Sequence, residues 1–294
     1  MIHSTPGSPL RTISLTVVTL VFFAANSVLG RVALGEGAID AGSFTAVRLL
    51  SGAVVLAALV ALRGGGRNAL ERNGSWMAAF TLVAYAVTFS YAYLSLNAGV
   101  GALILFAFVQ ITMIGVGILR GECPRLVEWI GLAAALTGLV YLLSPGLTAP
   151  PIGGAAAMAI SGVGWGWYSL LARGVDFPVA TIASNFVRTV PACLVLLIAV
   201  WASGAFHATT YGLQLAVVCG AITSGFGYAI WYAALKGLTA TRAAIVQLCV
   251  PVIAATGGVL FVDEQLTPRL VISAAAILGG VALALAGIRR ETKV

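Results

Sequence analysis

Apolar residues run through this chain in long blocks, and most polar residues fall between the blocks. A helix needs about 20 mostly apolar residues to cross a hydrocarbon core of about 30 Å. Ten windows near that length stand out, at residues 13–32, 42–62, 75–96, 99–119, 127–143, 154–173, 178–202, 211–235, 242–261 and 269–288. Each is bounded by charge, Pro or Gly, and little chain is left over for a soluble domain. The first window lacks a small-residue cleavage site and is followed at once by further spans, so it reads as a retained first helix.

Composition agrees with this pattern. Of 294 residues 60% are hydrophobic and 9% charged, and the mean hydropathy is +1.04, which predicts an all-α integral membrane protein. The net charge of +7 would suit a nucleic-acid partner, but the cations sort by loop. With the N-terminus cytoplasmic, twelve of the sixteen Lys and Arg residues fall in inner loops and only Arg31 and Arg269 in outer ones. The remaining two, Arg48 and Arg188, lie inside spans. The asymmetry predicts cytoplasmic N- and C-termini and an even number of spans, with the lipid bilayer rather than a nucleic acid as the partner. Cys193, Cys219 and Cys249 in spans and Cys123 in a short loop show neither disulfide nor metal spacing, and read as small buried hydrophobes.

A shift of 142 residues sets Ser27, Leu29 and Arg31 on Ser169, Leu171 and Arg173, and sets Glu122, Ile130, Leu136 and Gly138 on Glu264, Ile272, Leu278 and Gly280. A shift of 140 sets Val47 and Arg48 on Val187 and Arg188. Three matches in one order at nearly one offset predict two five-helix copies, residues 1–146 and 147–294. Because five is odd, the second copy enters the membrane from the opposite side. Such an inverted repeat places a transport site near the midplane between the halves.

Ten spans in two copies, each closing with an acidic loop residue (Glu122, Glu264) and a last span marked by small residues (Gly131 and Gly138; Ser273 and Gly280), resemble the EamA repeat of the drug/metabolite transporter superfamily. Within it the pattern looks most like the bacterial amino-acid exporters, in particular the YddG-type aromatic amino acid exporters. That resemblance implies a multi-pass protein of the bacterial inner (plasma) membrane that needs no cofactor and moves a small-molecule substrate, with a monomer among the states it allows.

The residues limit the chemistry. All nine carboxylates and both histidines, His3 and His207, fall in loops or at helix ends, so no embedded group is placed to carry protons or coordinate Na⁺. No Ser/His/Asp or Cys/His set, metal cluster or phosphate loop can be assembled, so no enzyme is expected. What the spans hold is amide, hydroxyl, aromatic ring and guanidinium. Asn26, Gln110, Asn185 and Gln247 are expected to point inward, since a bare amide in lipid costs several kcal/mol. They serve either as ties between helices or as solute ligands.

Trp165 and Tyr168 mark one face of the sixth span with Ser161, Tyr228 and Trp231 one face of the eighth with Ser224, and Tyr85 and Tyr91 are read as sharing a face of the third. Core packing competes with cavity lining for these rings. Arg48 is about 9 Å inside its span and is expected to snorkel outward. Arg188, about 15 Å in, is expected to meet backbone carbonyls, water or an anionic solute group. Pro191 and Pro251 are candidate hinges. The expected function is uncoupled or exchange transport of amino acids with large apolar or aromatic side chains. The alternatives are sugar-phosphate or nucleotide-sugar exchange, multidrug export, and a membrane scaffold.

Overall fold

The computed structural model of the chain describes residues 9–119, 126–144, 146, 149–172, 175–235 and 246–288. These residues are helical apart from short connections and a single antiparallel bridge between Ile39 and Ala208. The helices are α1 (Pro9–Gly35), α2 (Ala41–Leu62), α3 (Arg67–Arg72), α4 (Trp76–Tyr93), α5 (Ala98–Leu119), α6 (Leu126–Leu143), α7 (Ile152–Leu171), α8 (Pro178–Arg188), α9 (Val190–Ala202), α10 (Thr210–Val218), a π-helical turn (Cys219–Phe226), α11 (Gly227–Leu235), α12 (Cys249–Val262) and α13 (Pro268–Ile288).

Among the described residues, six helical stretches are long and apolar enough to cross a membrane: Leu10–Gly35, Ala41–Leu62, Trp76–Tyr93, Ala98–Val116, Pro178–Ala202 and Thr210–Ala234. Shorter apolar helices cover Trp129–Leu143, Cys249–Val262 and Pro268–Gly280. The stretches end where the sequence supplies caps. Asp40 accepts from the Ser43 amide at the start of α2, Ser75 from Ala78 at the start of α4, and Thr209 from Gly212 at the start of α10.

Two of the apolar helical runs are interrupted. Pro191 has no N–H to donate, and the helix breaks just ahead of it: α8 ends at Arg188, and Thr189, whose amide bonds Phe186 O at 3.0 Å, separates it from α9. Pro251 likewise falls in the first turn of α12, with Gln247 just upstream. The candidate hinge prolines thus both stand at helix discontinuities.

The helices pack in a definite pairing. α4 and α5 lie on α7, α1 lies on α12 and on the run from α10 to α11, α2 lies on α8, α9 and the π-helical turn, α4 on α8, α5 on α12, and α6 on α13. The π-helical turn approaches α2 closely, because Gly220 sits where a Cβ would strike the Arg48 carbonyl. The apolar core runs from Leu20, Phe23 and Ala24 of α1 to Val250 and Ala254 of α12, while Val195, Ile198, Trp201, Leu260 and Phe261 stay exposed, as suits lipid-facing positions.

Polar contacts gather at the two ends of the bundle. At one end Glu264, in the connection before α13, accepts the Ala98 amide at 2.8 and 3.0 Å and lies 3.5 Å from Arg31 Nε. Ile39 bridges to Ala208 beside it, and the Asp40 carboxylate accepts the His207 amide at 3.2 Å. At the other end the connection before α4 is held by α8. Ser184 donates to Leu70 O at 2.5 Å and Asn73 O at 2.6 Å, and Arg188 donates to Asn73 O at 2.7 Å and Glu71 O at 3.2 Å.

Candidate functional site

Between these ends lies a small cavity of about 20 Å³, lined by Phe23, Asn26 and Ser27 of α1, Tyr85 and Phe89 of α4, Leu105 and Phe106 of α5, Trp165 of α7 and Tyr228 of α11. Helix periodicity explains each set: 23, 26 and 27 share a face at i, i+3 and i+4, and 85 and 89 at i and i+4. The rings form one connected cluster. Phe23 is edge-on to Trp165 and Tyr228 at 5.9 Å and to Trp231 at 5.6 Å. Trp165 lies 4.8 Å from Tyr228, 5.1 Å from Tyr85 and 5.7 Å from Tyr168. Small-molecule pockets usually start near about 300 Å³. The rings must therefore part to admit a solute.

Arg48 stands against this cluster, 1% exposed, and among the described residues it is the only charged one that is buried. Its Nε donates to Ser224 Oγ at 3.2 Å and its Nη2 to the Tyr85 hydroxyl at 2.9 Å. Its guanidinium carbon lies 4.7 Å from the Phe89 ring centre and 5.3 Å from that of Tyr85, within cation–π range. The buried Nη1 has no partner. The expectation that Arg48 snorkels outward is corrected. α2 presents it to Tyr85 and to the π-helical turn, whose oxygens accept its N–H groups, so the side chain stays inside.

Asn26 completes the polar wall. Its Oδ1 accepts from Thr223 Oγ1 at 2.6 Å and Ser224 Oγ at 3.2 Å, with Cys219 Sγ at 3.1 Å, and its Nδ2 reaches Thr223 O at 3.5 Å. The π-helical turn makes this possible. Its wider winding turns Thr223 and Ser224 together towards α1 and α2, and such turns concentrate at functional positions.

Of the residues expected from sequence, Asn26, Tyr85, Trp165 and Tyr228 line the cavity, and Tyr168 and Trp231 stand one ring behind it. Gln110 and Gln247 are buried but do not line it, and Gln110 Nε2 is without a partner. Asn185 is buried at the clasp, where its Oδ1 accepts the Ser75 amide at 2.9 Å and its Nδ2 reaches the Tyr168 hydroxyl at 3.5 Å.

Arg188, half-buried at the C-terminus of α8, meets backbone carbonyls as expected: it binds those of the α3–α4 connection, and it lies 5.9 Å from the Trp76 ring. One placement differs from expectation. Tyr91 is 48% exposed on the outside of α4. Six residues at about 100° each carry a side chain about 240° around the helix, so Tyr91 does not share the face of Tyr85. Sequence reading missed Phe23, Phe89, Phe106, Thr223 and the central place of Arg48. For Phe23 the spacing to Asn26 was the available signal.

Outside the bundle core, the Glu264 end holds a second cavity of about 210 Å³, lined among others by Ser95, Asn97, Pro151, Glu264, Thr267 and Leu270. Burial pushes the Glu264 carboxyl above the ordinary carboxylate range, against the opposing pull of the Ala98 amide and Arg31.

Comparison with known proteins fits this arrangement. Residues 152–286 match the EamA-like transporter family. Uncharacterized protein PA1977 of Pseudomonas aeruginosa is 50% identical over 276 residues, covering 94% of this chain and 95% of its own. A solved crystal structure shares 20% identity and a TM-score of 0.68, covering 96% of this chain and 100% of its own, which shows a common fold. With a full-length relative at that identity and the family's pattern across α7 to α13, this multi-pass membrane protein belongs to the EamA-like transporter family.

Proposed function

We propose that the chain is a secondary transporter of the bacterial plasma membrane that exports small organic solutes with large apolar or aromatic groups, aromatic amino acids of the YddG type among them, by alternating access at the central cavity. The observation that carries this reading is the aromatic lining of Phe23, Tyr85, Phe89, Trp165 and Tyr228 with one buried guanidinium, Arg48, packed directly behind Tyr85 and Phe89. Rings and a polar pole in one enclosure suit a solute with an apolar body and one polar end.

Ten crossings in two inverted copies, 1–146 and 147–294, with cytoplasmic termini, are part of the proposal. The packing supports them. Under the 142-residue shift α7 answers α1, α12 answers α5, and the run from α10 to α11 answers α4. The pairs α4 on α7 and α5 on α7 then answer that run on α1 and α12 on α1. Opposed direction is supported by the Glu264 end, where the C-terminal part of α1, at Arg31, and the connection leading into α7, at Pro151, flank the same residue.

Exchange of phosphorylated sugars is less well supported. A dianion favours two converging cations, and Arg188 lies at the clasp rather than beside Arg48. A cationic drug would meet Arg48 as a like charge. With every carboxylate of the sequence in a loop or at a helix end, movement follows the solute's own gradient or exchange. The test is flux of labelled phenylalanine into proteoliposomes. Saturable equilibration is expected, and accumulation above equilibrium under an imposed pH gradient would show the uncoupled mechanism to be wrong.

A further inference from the structure

The polarity of the hydrogen-bonding groups at the cavity points to one end of the solute only. Around Arg48 each acceptor already holds a donor. Asn26 Oδ1 receives Thr223 and Ser224, Ser224 Oγ receives Arg48 Nε, and the Tyr85 oxygen receives Arg48 Nη2. What remains unused is the buried Nη1 of Arg48, whose guanidinium stands directly behind the lining rings of Tyr85 and Phe89 and meets a solute once those rings part. Among the described residues no carboxylate is buried at the cavity to balance Arg48 or to receive an ammonium. A second cation in this low-dielectric enclosure would be repelled, whereas an anion would supply the missing counter-charge.

We infer that the carrier recognises the carboxylate of its solute through Arg48 and gives an α-ammonium no charged partner, so that its substrate class is aromatic or bulky apolar monocarboxylates, 2-oxo and unsubstituted acids included. This rests on the reading of the central cavity as the transport site and narrows it. The carboxylate meets the guanidinium beside Phe89, and the apolar body lies among Phe23, Phe106, Trp165 and Tyr228. Removing the amino group from an aromatic amino acid therefore takes no charge-paired contact away, whereas removing its carboxylate takes away the contact with Arg48.

The experiment is a ligand-dependent thermal-stability titration of the purified full chain in detergent, using phenylalanine, phenylpyruvate, 3-phenylpropionate and phenethylamine as probes. The two acids are expected to bind at least as tightly as phenylalanine, and the amine to give no shift at tenfold higher concentration. Arg48→Gln should weaken the acids at least tenfold, and Arg48→Lys should keep acid ahead of amine. Phenylalanine bound more tightly than both acids overturns the inference and leaves the amino-acid reading standing. An amine bound as tightly as the acids, or no shift with any probe, overturns both. Unchanged acid affinity in Arg48→Gln removes Arg48 from the site, and if that variant does not fold, the order of the four probes on the unaltered chain decides.

Discussion

Gly74→Ala is the substitution whose cost is best defined by its surroundings. Gly74 has φ +74°, a left-handed conformation, and a Cβ built there would lie 2.6 Å from Asn185 Oδ1, 2.9 Å from Arg188 Nη1 and 2.9 Å from Ser184 Oγ. The left-handed conformation alone costs a residue with a Cβ about 1–2 kcal/mol. Displacing Asn185 endangers its bond from the Ser75 amide, worth about 0.5–1.5 kcal/mol, and displacing Arg188 endangers its charge-assisted bond to Asn73 O, worth about 1.5–3 kcal/mol. Loss of both would bring the total to roughly 3–6 kcal/mol.

Gly64 provides the control within the same chain. Its φ is +77°, and nothing lies within 4 Å of the position a Cβ would take, so Gly64→Ala bears the backbone cost alone. Thermal unfolding of both variants in detergent should show a midpoint drop at Gly74→Ala at least twice that at Gly64→Ala. In an Asn185→Ala background the extra penalty at Gly74 should shrink, because the nearest atom is gone. Equal drops for the two glycine variants would refute the clasp between α8 and the α3–α4 connection as a source of stability.

Two further outcomes follow from the same geometry. The folded-state pKa of Glu264 is raised by burial, so its contribution to stability is full below the unfolded value of about 4.3 and is lost as pH rises through the folded value. Thermal midpoints should therefore fall with rising pH in that window, and Glu264→Gln should flatten the fall and leave the midpoint at neutral pH unchanged or higher. A lowered neutral midpoint with an unchanged pH slope would contradict the sign. Tyr85→Phe should cost about 1.5–3 kcal/mol by leaving Arg48 Nη2 unpaired, while Tyr91→Phe, at an exposed position, should stay within about 0.5 kcal/mol in the same unfolding measurement.

The membrane-spanning character was legible in the sequence because apolar length is a one-dimensional property: among the described residues, six of the ten windows hold a helical stretch long and apolar enough to cross a membrane. The ring cluster was legible in part, since Trp165, Tyr168, Tyr228 and Trp231 recur at true helical spacing. What failed was depth and direction. Arg48 was placed by counting inward from a window edge, which takes no account of the helices around it, and its burial depends on Tyr85 and Ser224, 37 and 176 residues away. Arg188 does meet backbone carbonyls, but which ones the sequence does not say, since they belong to Glu71 and Asn73, more than a hundred residues away. Thr223 and Ser224 reach the site through a π-helical turn, a winding that a search at 3.6 residues per turn does not detect. His3, Glu122, Cys123 and Arg173 fall outside the described residues.

Under the proposed repeat Arg48 and Arg188 correspond, each following a valine, yet Arg48 packs behind Tyr85 and Phe89 of the cavity wall and Arg188 ties the α3–α4 connection to α8. The difference lies in the neighbours. α2 is pressed between α4 and the π-helical turn, with Gly220 bringing that turn onto the Arg48 backbone, whereas α8 ends beside the left-handed Gly74. The polar pole of the cavity, Arg48 with Tyr85, thus belongs to the first half, and Trp165 and Tyr228 at the apolar side belong to the second. A solute with a carboxylate at one end and a ring at the other would contact both halves at once. Its binding energy would then draw the halves together around it, and that differential contact is what a carrier needs if a solute is to change which end is open.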